Sequence, residues 1–329
     1  MKPEISVVIP LYNEEPNLLE LYEQLTSTLE TSGQTYELIL VDDGSSDGTC
    51  SLLAKLHAKD PRVCVVRLRR NFGQTAAFAA GFSRALGRYI VTSDGDLQND
   101  PRDIPSMLAT LEQGFDIVCG WRKDRKDPWL TRRVPSMIAN WLISVTTGVK
   151  LHDYGCSLKV FRAEVVKPLR LYGEMHRFIP AIASEQGVQI AEVVVNHRPR
   201  RFGRSKYGLS RTIRVVFDLV TVKFLLSYST RPLQMFGPAG LFLGGVGALI
   251  ALYLGYVRLF DGQAIGDRPL LLLAILMVFT GMQLITLGLL AEMQARTYHE
   301  SQGKPIYVIR EVLESSAITN DAHVPVINA

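Results

Sequence analysis

Short apolar runs alternate with helical patterns along the first 120 residues of the chain. The runs are rich in β-branched residues, and between the first two of them leucines recur at helical spacing from Leu18 to Leu29. This alternation is typical of a parallel, doubly wound sheet with helices on both faces. We therefore predict an α/β domain with strands at residues 5–9, 36–41, 63–68, 89–93 and 115–120.

The chain is 47% hydrophobic and 21% charged, but these averages conceal two long apolar runs. Residues 236–257 and 269–291 contain 22 and 23 residues and no charged side chain. About 20 apolar residues cross a hydrocarbon core as a helix. We predict two transmembrane helices here. The alternative, two core helices of a soluble protein, is disfavoured because such helices rarely lack charges over this length.

Basic residues flank the outer ends of this helix pair. Arg231 precedes the first run and Arg296, Lys304 and Arg310 follow the second, whereas the 11-residue loop between the runs carries no net charge. The positive-inside rule then predicts that the α/β domain and both termini lie on the cytoplasmic side of the inner (plasma) membrane. The first ten residues do not resemble a secretory signal, which agrees with this expectation.

Two amphipathic stretches accompany the predicted spans. Residues 128–147 and 209–228 each place apolar side chains on one face with arginines beside it. Such helices are typical of the membrane interface, and packing against the sheet or another subunit is the alternative. The predicted organisation is an α/β domain over 1–205, an interfacial segment over 206–233, the helix pair over 234–292 and a C-terminal tail over 293–329.

Acidic motifs follow three of the predicted strands. PLYNE occupies residues 10–14, VDDGSSDGT residues 41–49 and SDGDLQ residues 93–98. Ligands of open α/β sheets bind beyond the carboxyl ends of strands, where these motifs fall. Asp94, Asp96 and Gln98 offer oxygen ligands suited to Mg²⁺ or Mn²⁺ bound together with a diphosphate. Solvated turns and helix caps also use such sequences, so the residues alone leave both interpretations open.

A strongly basic stretch predicts contact with phosphate. Residues 197–214 contain seven Arg or Lys and no acidic residue, and Arg122 and Arg132 belong to a second, mixed cluster. A guanidinium group can donate two parallel hydrogen bonds to the oxygens of one phosphate. A solvated or lipid-headgroup face is the alternative. Nucleic acid is disfavoured as a partner because the basic run leads through an amphipathic stretch into a membrane span.

Six motifs precede the two apolar runs, in the order PLYNE, VDDGSSD, SDGDLQ, GWR, DYGCSLKVF and RRFGRSKYG. With them the chain resembles family 2 glycosyltransferases of the polyprenyl-phosphate type, from residue 4 to about 310. It is most similar to bacterial bactoprenol glucosyltransferases and lipid A aminoarabinose transferases, and less so to dolichyl-phosphate mannose synthases. The DYGC sequence differs from the D-P-x-S-G of mannose synthases, which weakens any transfer of their donor preference.

The resemblance implies a GT-A fold, a nucleotide-diphosphate sugar donor, Mg²⁺ or Mn²⁺, inversion at the anomeric carbon, and polyprenyl (undecaprenyl) phosphate as acceptor. UDP-glucose is the expected donor; a UDP-aminoarabinose derivative and GDP-mannose remain alternatives. By motif, the implied donor-binding residues are Pro10, Tyr12, Glu14, Val41, Asp43, Asp94, Gly95 and Asp96. The implied metal ligands are Asp96 and Gln98 with Asp94 nearby, and the implied phosphate-binding or acceptor-binding residues are Arg122, Arg132, Arg200, Ser205 and Lys206. The implied catalytic residues are Asp94, Asp96, Asp153 and Arg122.

Asp153 matches the acidic position that the resemblance sets beside the acceptor. A phosphate monoester has its second pKa near 6 and is largely anionic at neutral pH, so it needs no strong base. We therefore expect Asp153 to position groups more than to remove a proton.

Three rival interpretations are disfavoured by particular residues. A processive polysaccharide synthase would carry Q-x-x-R-W, and none of the three tryptophans follows that pattern. A dinucleotide dehydrogenase would show G-x-G-x-x-G after the first strand. A non-catalytic nucleotide-binding scaffold would not require the intact Asp94, Asp96 and Gln98 set. Two spans anchor the domain weakly, so a homo-oligomer is a further expectation that the sequence leaves open.

Overall fold

The computed structural model describes residues 2–123, 140, 143–144, 147–171, 175–184, 186–199, 233–266, 268–301 and 306–314. They belong to two compact units. The first comprises Met1–Leu219 with Pro305–Ala329, and the second comprises Val220–Lys304. Most of both amphipathic stretches lies outside the described residues, as do Arg132, Arg200, Ser205 and Lys206.

An eight-stranded mixed sheet forms the centre of the first unit. In chain order its strands are β1 (Ile5–Leu11), β2 (Tyr36–Asp42), β3 (Val63–Leu68), β4 (Tyr89–Thr92), β5 (Ile117–Trp121), β6 (Lys159–Arg162), β7 (Ile190–Val194) and β8 (Ile309–Leu313). Across the sheet the order is β7-β5-β6-β4-β1-β2-β3-β8. The first four strands run parallel to one another, β5 is parallel to β7, and β6 and β8 are antiparallel to their neighbours.

The helices of this unit separate the strands as the alternating pattern predicts. They are α1 (Glu15–Thr31), α2 (Thr49–Lys59), α3 (Gln74–Arg84), α4 (Ile104–Glu112), α5 (Ala163–Val166) and α6 (Ile179–Ser184), with 3-10 turns at Pro101–Asp103 and Met175–Phe178. The leucine face of α1 is confirmed, since Leu18, Leu21, Leu25 and Leu29 are all buried against the sheet. The five strands predicted from the sequence are confirmed within two residues at their ends.

Strand β8 is the main departure from the predicted organisation. It comes from the segment predicted as a C-terminal tail, and it pairs antiparallel with β3 at the edge of the sheet. Arg67 Nη1 lies 2.7 Å from Glu311 Oε2, and Arg84 Nη1 lies 3.1 Å from Glu314 Oε1. Its charged, half-exposed sequence lacks the apolar run of the inner strands, which is why periodicity did not reveal it.

The second unit is a pair of helices, α7 (Leu233–Leu259) and α8 (Pro269–Ser301). Phe236–Leu259 and Pro269–Ala291 are long and apolar enough to cross a membrane, with mean hydropathy 1.9 and 2.4 in their most apolar windows. Only 22% and 11% of those windows are buried within the protein, which disfavours two core helices of a soluble protein. The predicted spans at 236–257 and 269–291 therefore coincide with helices whose apolar side chains are largely uncovered.

Glycines let α7 and α8 approach closely. A Cβ added at Gly281 would lie 2.5 Å from the carbonyl oxygen of Gly240 and 2.6 Å from the backbone nitrogen of Gly244. Small residues at such crossings are typical of helix pairs in membranes, because they let two backbones pack in direct contact.

We expect Gly281→Leu to separate the two helices and lower the stability of this unit by about 1–3 kcal/mol, because the added side chain overlaps backbone atoms. Gly255→Leu is the matched control, since a Cβ at Gly255 meets nothing within 4 Å. Thermal unfolding of the detergent-solubilised protein measures both. Equal melting temperatures for the two variants would contradict the packing described here.

Candidate active site

The acidic loop after β4 holds two carboxylates in a buried setting. Asp96 is 8% exposed, and its Oδ1 accepts a hydrogen bond from the backbone N–H of Gln98 at 3.2 Å. Asp94 Oδ1 accepts from Nε2 of Gln74 at 2.6 Å. Burial, followed by the charge of Asp96, raises the pKa of Asp94. Leu97, directly after Asp96, is buried and adopts φ 61, a left-handed conformation rare for a branched residue.

The donor set of this loop fits a hard divalent cation. Asp94 forms no ion pair with a lysine or arginine in the described part of the chain, and burial and the charge of the neighbouring Asp96 raise its pKa. No group of three or more His, Cys, Asp or Glu that could hold a metal occurs among the described residues. Mg²⁺ and Mn²⁺ need only one or two protein carboxylates when a diphosphate and water complete the shell. Asp96, Gln98 and Asp94 therefore remain the predicted metal ligands.

The first two acidic motifs interlock into one structure. Asn13, at φ 56, donates its backbone N–H to Ser45 Oγ at 3.0 Å, and its Oδ1 accepts from the backbone N–H of Ser46 at 2.8 Å. Glu15 Oε2 accepts from the backbone N–H of Gly48 at 2.9 Å. The two loops that the resemblance assigns to donor binding are thus held together by contacts between them.

The predicted donor-binding residues differ in how accessible their side chains are. Pro10 and Val41 are paired across β1 and β2, and the Val41 side chain is fully buried. Tyr12 is half-buried. Glu14 accepts a hydrogen bond from Asn17 Nδ2 at 2.6 Å. Among these residues the side chains of Tyr12 and Glu14 are partly accessible, whereas the side chain of Val41 is not.

Asp43 is occupied by the protein itself. Its two carboxylate oxygens accept the backbone N–H groups of Phe72 and Gly73 at 2.7 and 2.9 Å, and burial raises its pKa. Gly73 adopts φ 94, and α3 begins at the next residue, Gln74, which reaches Asp94. Asp43 therefore fixes the start of α3 and, through Gln74, the acidic loop. Sequence reasoning missed Gln74, because its partner lies 20 residues away.

Arg122 and Asp153 are brought together as a buried ion pair. Arg122 Nε and Nη2 donate to Asp153 Oδ2 and Oδ1 at 2.7 and 3.0 Å, with side chains only 17% and 3% exposed. The sequence assigned Arg122 to phosphates and Asp153 to the acceptor, as separate residues. In the structure the carboxylate of Asp153 orients the guanidinium, which agrees with a positioning role for Asp153.

Lys159 is a further buried charge that the sequence did not reveal. It lies on β6, is 4% exposed, and its Nζ donates to the carbonyl oxygens of Tyr154 and Cys156. Its charge acts to lower the pKa of Asp94, against the larger effect of burial. Lys159 thus secures the turn after Asp153 while placing a cation near the acidic loop.

The whole chain has clear relatives. The profile described as Glycosyl transferase family 2 matches residues 6–170. Dodecaprenyl-phosphate galacturonate synthase of Rhizobium johnstonii is 47% identical over 320 residues, which cover 95% of this chain and 94% of that protein.

Solved structures with a similar fold include glucosyl-3-phosphoglycerate synthase from Mycobacterium tuberculosis. Its complex with Mn²⁺, uridine diphosphate and glucosyl-3-phosphoglycerate superposes with a TM-score of 0.54 at 20% identity, over 69% of this chain and 82% of that one. Another crystal structure of the same enzyme gives a TM-score of 0.51 at 20% identity, over 68% and 80%. At this identity the likeness concerns the fold.

We expect Arg122→Gln to lower the free energy of unfolding by about 3–5 kcal/mol, because it leaves the Asp153 carboxylate buried without its partner. The double variant Arg122→Gln/Asp153→Asn removes both charges and is expected to regain much of that loss. Chemical unfolding of these two variants, of Asp153→Asn and of the wild-type protein gives the four free energies of a double-mutant cycle. Additive losses would show that the two side chains do not interact.

We also expect Mn²⁺ affinity, measured with uridine diphosphate present, to rise with pH through the raised pKa of Asp94. The protonated carboxyl binds metal poorly, so binding must displace its proton. Calorimetry in two buffers of different ionisation enthalpy counts the protons released. Asp94→Asn should release fewer protons than the wild-type protein; equal release would assign the proton to another group.

Proposed function

Because this chain belongs to glycosyl transferase family 2, and carries the family's GT-A type of α/β fold, we propose that it transfers a sugar from a nucleoside diphosphate to the phosphate of a polyprenyl lipid. The proposed reaction inverts the anomeric carbon and depends on a divalent metal. The observation that carries the proposal is the pair formed by half-buried Asp94 and buried Asp96 at the carboxyl end of β4, next to the interlocked loops after β1 and β2.

Asp96 and Gln98, with Asp94, are proposed to hold Mg²⁺ or Mn²⁺. When bound, the metal supplies positive charge to the diphosphate as the anomeric bond breaks. Support comes from the Mn²⁺ and uridine diphosphate in the Mycobacterium tuberculosis structure, which has the same fold. The chain contributes by holding Asp94 through Gln74 and by fixing the backbone at Gln98 through Asp96 Oδ1.

We propose that the nucleoside lies against the two interlocked loops. Tyr12 and Glu14 supply side chains, Pro10 and Val41 supply backbone, and Asp43 acts by fixing the loop before α3. Rigid, preorganised loops reduce the entropy lost when the donor binds. Gly95 is buried against the side chain of Leu11, so the acidic loop meets the end of β1 closely.

A polyprenyl phosphate acceptor is supported by the 47% identical relative, whose name includes dodecaprenyl phosphate, and by the two apolar helices. Chain connectivity adds a topological argument. The helix pair follows the first unit, and β8, after α8, returns to the same sheet. Two crossings bring the chain back to one side, and the flanking basic residues favour the cytoplasmic side of the membrane.

Attack is proposed to come from an oxygen of the acceptor phosphate. This oxygen forms a bond to the anomeric carbon while the bond to the diphosphate breaks, and the electron pair leaves with the diphosphate. The acceptor is already anionic, so no strong base is required. The Arg122 guanidinium, oriented by Asp153, is proposed to offset repulsion between the two phosphate groups. The basic residues Arg132, Arg200 and Lys206, with Ser205, remain predicted phosphate contacts.

The donor sugar distinguishes two versions of this proposal. The sequence motifs led us to expect UDP-glucose, whereas the name of the 47% identical relative favours galacturonate. UDP-glucose and UDP-galacturonate differ in the configuration at C4 and in the oxidation of C6. A galacturonate donor adds a carboxylate that would need a cation, and an aminoarabinose donor would need an anion instead.

The decisive assay uses the purified full chain, undecaprenyl phosphate, and radiolabelled UDP-glucose or UDP-galacturonate, with and without Mn²⁺ or Mg²⁺. We expect metal-dependent label in the lipid phase and at least about a 100-fold loss in Asp96→Asn. Glu164→Gln is the matched control, since Glu164 is exposed and follows β6 at the end of the sheet where β4 begins, away from the acidic loop.

Preference for one UDP sugar over the other would identify the donor and retain the mechanism. Transfer that is unchanged by chelation, or by Asp96→Asn, would contradict the proposed metal site. Absence of lipid-linked product with every nucleotide sugar, from protein that still binds UDP, would favour the non-catalytic scaffold.

A further inference from the structure

His152, immediately before Asp153, is an exposed side chain held in one orientation. Its side chain is 66% exposed, yet its Nδ1 lies 2.7 Å from Glu192 Oε2. The same carboxylate accepts the backbone N–H groups of His152 at 2.8 Å and Asp153 at 3.0 Å. Glu192 therefore fixes the imidazole and the backbone that carries Asp153 together.

Trp121 provides a second restraint on the same ring. The His152 and Trp121 rings are stacked, with centroids 4.2 Å apart and planes 16° from parallel. Exposed side chains usually lose rotamer entropy when they bind a ligand, and a ring already held by a carboxylate and an indole loses little. This degree of order on an exposed histidine is typical of a preorganised binding group.

The occupied nitrogen determines what His152 offers. With Nδ1 bound to Glu192, Nε2 is the ring atom left for a ligand, and it has no hydrogen-bond partner among the described residues. An imidazole that carries a proton on each nitrogen donates from Nδ1 to the Glu192 carboxylate and from Nε2 to an anionic phosphate oxygen, which is a charge-assisted hydrogen bond. Arg122 on one side and Lys123, whose Nζ lies 5.7 Å from the Trp121 ring centroid, add positive charge nearby.

The position in the sheet indicates which phosphate this would be. The interlocked loops and the acidic loop follow β1, β2 and β4, whereas Trp121 and Glu192 belong to β5 and β7. Strand β6 separates β5 from β4. The donor diphosphate belongs with the acidic loop, so a second phosphate approaching from the β5 and β7 side meets His152 first.

We infer that His152 binds the phosphate of the acceptor through Nε2, as a residue of the acceptor site fixed by Glu192 and Trp121. This inference rests on the proposed function. During transfer one phosphate oxygen forms the bond to the anomeric carbon, and His152 holds a different oxygen of the same phosphate. The Nε2 proton stays on the imidazole in that hydrogen bond, so the step needs no further acid or base.

The test measures binding of farnesyl phosphate to the full-length protein in detergent free of anionic lipid, with Mn²⁺ and uridine diphosphate present. We expect His152→Ala to weaken this binding about 10-fold or more, the loss typical of a charge-assisted hydrogen bond. Affinity for uridine diphosphate should not change. His152→Gln keeps a donor and should lie between Ala and wild type. Arg88→Ala, which removes an exposed cation at the amino end of β4, is the charge-matched control.

Because His152 is exposed and the contacts of its backbone survive substitution, the variants are expected to fold. Equal farnesyl phosphate affinity in wild type and His152→Ala would overturn the inference, as would a loss confined to uridine diphosphate binding. An effect that appears only in nanodiscs containing phosphatidylglycerol would assign His152 to lipid headgroups and also overturn it. The binding measurement does not require sugar transfer. If the wild-type protein transferred no sugar, that result would overturn the proposed function and leave the inference about His152 standing.

Discussion

Buried negative charge at the carboxyl ends of the central strands is the constraint on which the rest of the site depends. Asp43, Asp96 and Asp153 are buried and Asp94 is half-buried, and each is stabilised in a different way. Asp43 accepts two backbone N–H groups, and Asp153 pairs with a guanidinium. Asp94 accepts the amide of Gln74, and burial followed by the charge of Asp96 raises the pKa of Asp94. A cation beside Asp94 and Asp96 would offset the repulsion between these two carboxylates.

Asp43 also helps to position the acidic loop. Asp43 fixes the residues before α3, and α3 begins with Gln74, whose amide meets Asp94. On the other side, Glu192 fixes the backbone of Asp153, and Asp153 fixes Arg122. Side chains with no proposed ligand contact thus fix the positions of the side chains that are proposed to bind ligands. Loss of activity on replacing Asp43 or Asp153 would reflect this dependence as much as any direct contact.

The sequence pattern predicted the structural elements that depend on neighbouring residues. The leucine face of α1, the five strands and the two apolar helices depend on periodicity and length, and all were predicted close to their observed bounds except the end of α8, which continues from the predicted residue 291 to Ser301. The acidic loop was predicted as a site because its three oxygen-bearing residues lie within five positions. Gln74, Lys159 and Glu192 were not, because their partners are distant in sequence and a single glutamine, lysine or glutamate carries no pattern. The pairing of Arg122 with Asp153 spans 31 residues and was missed for the same reason.

The return of the chain to the sheet at β8 has a consequence for biosynthesis. Strand β3 has its outer edge unpaired until Ile309–Leu313 has been made, and those residues follow both apolar helices. An N-terminal domain begins to fold as it leaves the ribosome, so the edge of β3 stays open until β8 has been made. In the proposed topology, β8 reaches this edge only after both apolar helices have crossed the membrane. Completion of the sheet would then depend on insertion of both helices, and a molecule with a single inserted helix would keep an exposed, aggregation-prone strand.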